Sequence, residues 1–194
     1  MPRLVPAVVP NGQMRMSAQP VLHAAADVTL RPWEAADADD LMAAFSEPSI
    51  QLWHRRELAT AEEAREWIKP WRARWEAETD AGWAITSSAS GDLLGQISLR
   101  DVSLEFGTAQ ISYWVLAPAR RRGVASDSVL EVTRWAFEEL GLHRLVIHHS
   151  TSNEPSCMVA ERAGFVLEGT ATSALLHLDG WHDMHTHGRV APPR

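Results

Sequence analysis

The sequence predicts a mixed α/β domain in which one central, mostly antiparallel sheet of about seven strands is flanked by about four helices. Three observations carry that reading. Period-two apolar runs alternate with helical-period runs from residue 28 onward; three period-two runs follow one another with only turn residues between them; and the last two helical patterns each close on a glycine. With 194 residues, 45% of them hydrophobic, the chain is long enough to bury one core, so a single domain over residues 27–194 is expected.

Residues 1–26 come first, as an arm expected to be mobile; prolines at 2, 6 and 10 break up its apolar residues before a signal-peptide core can form. Val28 to Trp33 reads as a strand. "WEAADADDLMAAFS" reads as a helix with acidic residues toward its start, where the helix dipole favours them. "TAEEAREWIKPWRARWEAE" is a second helix, opened by a capping box of Thr60 and Glu63 and kinked or split at Pro70. "GWAITSS", "LLGQISLRDVS" and "AQISYWVLAP" make an antiparallel meander, parted by "SASGD" and by Gly107. "SDSVLEVTRWAFEEL" is a third helix ending at Gly141, and "HRLVIHHS" is a strand. "NEPSCMVAERAG" is a short helix closed by Gly164, and the last two strands form a hairpin turning at Asp179-Gly180.

The formal charge of −7 provides no overall positive field for a polyanion, so nucleic acid is not an expected partner. No apolar run is long enough to span a membrane. The single cysteine, Cys157, excludes an internal disulfide and a cysteine-built zinc site and fits a reducing cytoplasm. Lys69 is the only lysine among 18 basic residues, a bias of GC-rich bacterial genomes.

Against that acidic background, "APARRRGVASDS" joins a strand ending near Leu116 to a helix starting near Ala125. Backbone N–H groups at a helix N-terminus lack intrahelical partners and carry the positive end of the dipole. Gly123 lets the chain approach an anion without a Cβ, and the small Ala125 leaves room at the first turn. The segment is therefore a candidate cradle for one small anion, and neither a dinucleotide-binding glycine fingerprint nor a P-loop is present.

Arg120-Arg121-Arg122-Gly123-Val124-Ala125 resembles the [QR]-x-x-G-x-[GA] loop of the GNAT superfamily of N-acetyltransferases. "AQISYWVLAP" is similar to that family's fourth strand, "NEPSCMVAERAGF" to its N-x-x-[SA]…G-F segment, and "LEG…LDGWHDM" to the closing hairpin of the RimJ and RimL ribosomal-protein branch. The resemblance spans residues 28 to 190 and implies a splayed sheet and acetyl-CoA as co-substrate. It implies that the main chain of Trp114, Val115 and Leu116 holds the pantetheine, that residues Arg120, Arg121, Arg122, Gly123, Val124, Ala125 and Ser126 hold the pyrophosphate, and that Asn153 bonds the pantetheine amides. It also allows a homodimer.

Acetyl transfer to an amine further needs a proton for the leaving thiolate and a neutral amine. By the resemblance Ser156 is the acid, since the tyrosine that many members place seven residues beyond the asparagine is here Ala160, and the only tyrosine, Tyr113, lies on the preceding strand. The RimL-type glutamate is missing too, because Leu175 and Leu176 stand where a carboxylate would be sought. His177, with an ordinary pKa near 6.5, is the first candidate base; Glu168, Glu105, Asp101 and a water relay remain open. Trp53 and Trp71 are candidate walls of the acceptor pocket, against the plainer reading that such tryptophans pack a helix on the sheet. In "WHDMHTHGR", His185 and His187 share a strand face and His182 opposes them; a polar strand face is expected there, and no metal. The implied function is transfer of an acetyl group to a primary amine of a protein or peptide N-terminus or a small molecule. A weakly catalytic CoA-binding regulatory module, or a transferase using another acyl-CoA such as succinyl-CoA, is the alternative.

Overall fold

In the computed structural model, which describes residues 5–25 and 27–193, eight strands form one sheet in the order β1-β2-β3-β4-β5-β6-β8-β7. The strands are β1 (Leu22–Ala25), β2 (Val28–Pro32), β3 (Ala81–Ser87), β4 (Leu93–Ser103), β5 (Thr108–Val115), β6 (Arg144–Ser150), β7 (Val166–His177) and β8 (Gly180–Val190). All neighbours are antiparallel except β5 and β6. The helices are α1 (Ala38–Ala44), α2 (Pro48–His54), α3 (Ala61–Ile68), α4 (Pro70–Glu76), α5 (Val124–Trp135, continued as a π turn to Leu140) and α6 (Glu154–Arg162).

The local chemistry follows the residues. Thr60 caps α3 by accepting from the Glu63 N–H at 3.2 Å, and Glu63 reaches back to the Ala59 N–H at 2.7 Å. Pro70 splits the long helical pattern into α3 and α4, as its missing N–H requires. Gly141, at φ +87°, ends the α5 turn. Gly82 has no Cβ for another reason: an added Cβ would stand 2.4 Å from the Trp71 ring, so its absence lets α4 lie against β3.

Two expectations are corrected. Among the described residues there are eight strands and six α-helices: β1 lies within the predicted arm, α2 in a stretch given no element, and the expected break at Pro70 makes α3 and α4 of one pattern. The helix α2 starts with Pro48 at its first turn, where proline's fixed φ suits a helix. The arm itself is not free over its described length. Val8 and Val9 donate to the carbonyls of Glu105 and Leu104, and the Glu78 carboxylate accepts from the N–H groups of Gly12 and Met14, both at 2.8 Å. Met14 is 0% exposed in the main core beside Trp75 and Trp83. Burial of these apolar side chains offsets the entropy of ordering the segment, which composition alone does not reveal. Residues 1–4 of the predicted arm lie outside the described residues.

Candidate active site

The parallel pair β5 and β6 forks. Its register runs from Thr108 with Arg144 to Ile111 with Ile147 and then stops, so Ser112–Val115 and His148–Ser150 diverge. The Leu116 N–H donates to the Leu94 carbonyl on the β4 side. By alternation Trp114 also pairs its main chain with β4, and the main chains of Tyr113 and Val115 turn into the gap beside β6. Of the three consecutive positions expected to hold a pantetheine, Val115 is thus the one whose backbone faces the fork. Tyr113 joins it, and the Trp114 side chain is buried against Phe45.

Across the fork, the Tyr113 hydroxyl lies 2.8 Å from Ser156 Oγ. Burial pushes the Tyr113 phenol up to about 12, so it stays protonated at neutral pH. Asn153 is the N-cap of α6: its Oδ1 accepts from the Ser156 N–H at 3.3 Å, a bond that does not use its amino group. The asparagine and serine are thus positioned by the start of one helix. Burial and the neighbouring Glu161 push the Cys157 thiol up, which disfavours a cysteine nucleophile.

The fork leads into the arginine segment. Gly123, at φ +83°, is the N-cap of α5 and supplies no side chain, so the first N–H groups of α5, at Val124, Ala125 and Ser126, receive no capping side chain. Val124 and Ser126 turn their side chains inward. The three arginines differ. Arg120 is engaged: Nε donates to the Val115 carbonyl at 2.8 Å, and its NH2 group bonds Glu47 at 2.8 Å and Ser49 at 2.9 Å. It braces the loop to α2, so the guanidinium that the resemblance assigns to the pyrophosphate is engaged here by Val115, Glu47 and Ser49. Arg121, in the left-handed region at φ +60°, and Arg122, 3.9 Å from Asp27, are exposed.

At the far end of β7, Trp53 and His177 meet with ring centroids 5.3 Å apart, so two residues chosen separately from sequence are brought together. His177 is 5% exposed, and burial and His182 lower its pKa, against smaller raising contributions from the Leu52 and Trp53 backbone and Asp179. Neither ring nitrogen reaches hydrogen-bond geometry. Among the described residues, no hydrogen bond joins His177 to Ser156 or Tyr113. A residue that sequence reasoning had assigned only to a polar strand face links the two ends: His182 lies 4.7 Å from His177, its Nδ1 is 2.6 Å from Ser150 Oγ and its Nε2 is 2.9 Å from Asp179. Burial and the nearby His177, Arg100 and Arg56 push His54 down to about 4, so it is neutral at pH 7. Of the other candidate bases, Glu168 is paired with Arg144. Trp71 is 3% exposed, packed on Trp67 and over Gly82, and borders a surface cavity that it shares with Trp33, Ile68 and Trp75.

Comparison with known proteins follows this geometry. The family model described as the acetyltransferase (GNAT) domain matches residues 27–166. YdaF of Bacillus subtilis (strain 168), provisionally named a ribosomal N-acetyltransferase, is 31% identical over 160 residues, covering 80% of this chain and 86% of that one. A crystal structure described as a probable acetyltransferase superposes with a TM-score of 0.81 at 26% identity, covering 88% of this chain and 96% of the other. RimL, a ribosomal-protein alpha-N-acetyltransferase in complex with coenzyme A, shares the fold with a TM-score of 0.79 at 19% identity, covering 89% and 98% of the two chains. The expected mixed sheet, its fork and the acyltransferase class are met by these likenesses, and no helix among the described residues is long and apolar enough to cross a membrane. The chain belongs to the GNAT acetyltransferase family, on its RimJ/RimL-like side.

Proposed function

We propose that this protein moves an acetyl group from acetyl-CoA to a primary amine by direct attack of the neutral amine on the thioester. The observation that carries the reading is the fork between β5 and β6, bridged by Tyr113 and Ser156 and continuous with the uncapped start of α5. The Val115 N–H and the Tyr113 main chain would extend the sheet with the pantetheine amides, and the Asn153 amino group would donate to the same arm. The N–H groups of Gly123 to Ser126, with Arg121 and Arg122, would take the pyrophosphate, each charge-assisted bond contributing about 1.5–3 kcal/mol. Arg120 would hold the loop in shape from behind.

As the N–C bond forms and the C–S bond breaks, the leaving thiolate takes the Ser156 hydroxyl proton, the Tyr113 hydroxyl stays protonated and holds the serine oxygen at 2.8 Å, and the proton shed by the amine returns through solvent to Ser156. The amine proton leaves at the acceptor end, where His177 and His182 face Trp53. The ribosomal names among the relatives favour a protein N-terminus over a small amine as acceptor. The weakly catalytic CoA-binding alternative keeps one observation in its favour: the candidate base His177 is buried beneath Trp53, beside Leu175 and Leu176 in place of a carboxylate.

Calorimetric titration of acetyl-CoA and free CoA into wild type and Gly123→Asp tests the cradle. An added Cβ at Gly123 meets Asp127 Oδ2 at 3.2 Å in a left-handed backbone, and the new carboxylate repels phosphate. Micromolar binding is expected in wild type and at least a 100-fold loss in the variant. A CoA-release screen with acetyl- and succinyl-CoA across peptide and small amines follows. Binding without release supports the regulatory module, and no binding to either ligand overturns the transferase reading.

A further inference from the structure

Strand alternation collects four ligand-bearing side chains beneath α6. His149 on β6 and His185 on β8 are directly paired across the sheet, and His187, two residues along β8, shares that face. The ring of His149 lies 5.3 Å from that of His185 and is stacked 5.0 Å from that of His187. Cys157, on the first turns of α6, brings its Sγ to 3.7 Å from His187 Nε2. One ligand atom from each of these four residues lies within 4.8 Å of all the others.

Hydrogen bonding within the protein does not account for the cluster. His149 is 5% exposed and its Nδ1 sits 2.8 Å from the Ser150 carbonyl, which can only accept; Nδ1 therefore carries the proton and Nε2 presents a lone pair that has no partner. His187 is 0% exposed with Nδ1 unpartnered, and His185 Nδ1 is likewise buried without a partner. Three imidazoles and a thiol packed together with spare lone pairs form an arrangement that a cation completes.

We propose that His149, Cys157, His185 and His187 form a binding site for a transition-metal dication of the zinc class, held by three imidazoles and one thiolate. Metal–nitrogen bonds of 2.0–2.1 Å and a metal–sulfur bond of 2.3 Å place tetrahedral ligand atoms about 3.3–3.6 Å apart. The Cys157–His187 pair is already at 3.7 Å, and the 4.8 Å limit on the rest asks for side-chain rotation, not backbone movement. The Ser150 carbonyl orients His149 from behind as a metal-bound imidazole requires. Glu161, whose Oε1 lies 3.7 Å from Cys157 Sγ, supplies a second negative charge beside the thiolate. The nitrogen and sulfur donor set excludes calcium and magnesium, which take oxygen ligands. The site stands beside Ser156 but does not depend on the acyl-transfer reading.

Cobalt(II) is the probe, added to tag-free, chelator-treated protein and followed by absorption spectroscopy and then by zinc competition. The expected result is one cobalt per chain with intense tetrahedral d–d bands and a thiolate-to-metal charge-transfer band, displaced by zinc. Cys157→Ser, on the half-exposed face of α6, should abolish the charge-transfer band and weaken binding at least 100-fold with an unchanged far-ultraviolet circular dichroism spectrum. His187→Gln should weaken binding similarly; if it fails to fold, the serine variant still decides. His23→Ala, remote from the cluster, should bind as wild type. The proposal is overturned by weak octahedral spectra only, by equal binding in wild type and Cys157→Ser, or by loss of binding in His23→Ala.

Discussion

Tyr113 and Ser156 show how a residue's role depends on what it touches. Ser156 was legible from its place three residues after Asn153, whereas Tyr113 was legible only as the one tyrosine of the chain; the 2.8 Å contact between them joins residues 43 apart in sequence. Ser156→Ala is expected to lower kcat about 100-fold or more, and Tyr113→Phe to lower it less, with the Kd for acetyl-CoA little changed in both. Single-turnover kinetics alongside calorimetry would check this, and a loss of binding equal to the loss of rate would instead make the pair a binding feature. Glu78 is a second case. Its burial by itself would raise its pKa, but the N–H groups of Gly12, Met14 and Arg15 and the Arg15 charge outweigh that and lower it. A lowered folded pKa means that the carboxylate stabilises the docked arm above the usual glutamate range and that this contribution fades as pH falls through the folded value. Glu78→Gln should speed amide exchange of Val9 and Met14 about 10-fold or more at pH 7, with the difference from wild type shrinking in acid; unchanged exchange would remove Glu78 from the role.

Elements carried by strong local signals were readable, and those set by distant contacts were not. The capping pair of Thr60 and Glu63, the break at Pro70 and the turn at Asp179-Gly180 act within a few residues, so α3, α4 and the β7–β8 hairpin stood in the sequence. β1 and α2 escaped because neither has a long periodic pattern of its own. β1 exists by pairing with β2, and α2 is held by Glu47 and Ser49, which Arg120 of the distant loop ties down. The sequence left open whether Trp71 meets a ligand or packs its helix on the sheet, and its close approach to Gly82 holds the ring against β3. Gly82→Ala is expected to cost about 1–3 kcal/mol in urea unfolding, since the new methyl meets the Trp71 ring and cannot be accommodated without moving α4. A neutral result would mean that α4 is free to shift from β3.

At the scale of the whole molecule, the sheet converts sequence-distant segments into sites. The parallel step from β5 to β6 sits between antiparallel neighbours, and its early divergence opens the fork in mid-sheet, next to the loop that begins α5. The same sheet places β6 beside β8 and so gathers the histidines at 149, 185 and 187. By itself, the sequence determined the mixed sheet, most element boundaries, the glycine-led helix start after β5 and the Asn153–Ser156 spacing. All of these rest on local periodicity, backbone conformational preference and short hydrogen-bonded motifs. Only the tertiary structure decided that Arg120 braces and Arg121 and Arg122 stay exposed, that Tyr113 meets Ser156, that Val9 and Met14 of the arm are core, and that a polar-looking strand face is a buried cluster with Cys157. These depend on register and packing between segments far apart in the chain, where one residue of shift reverses which side chains face inward.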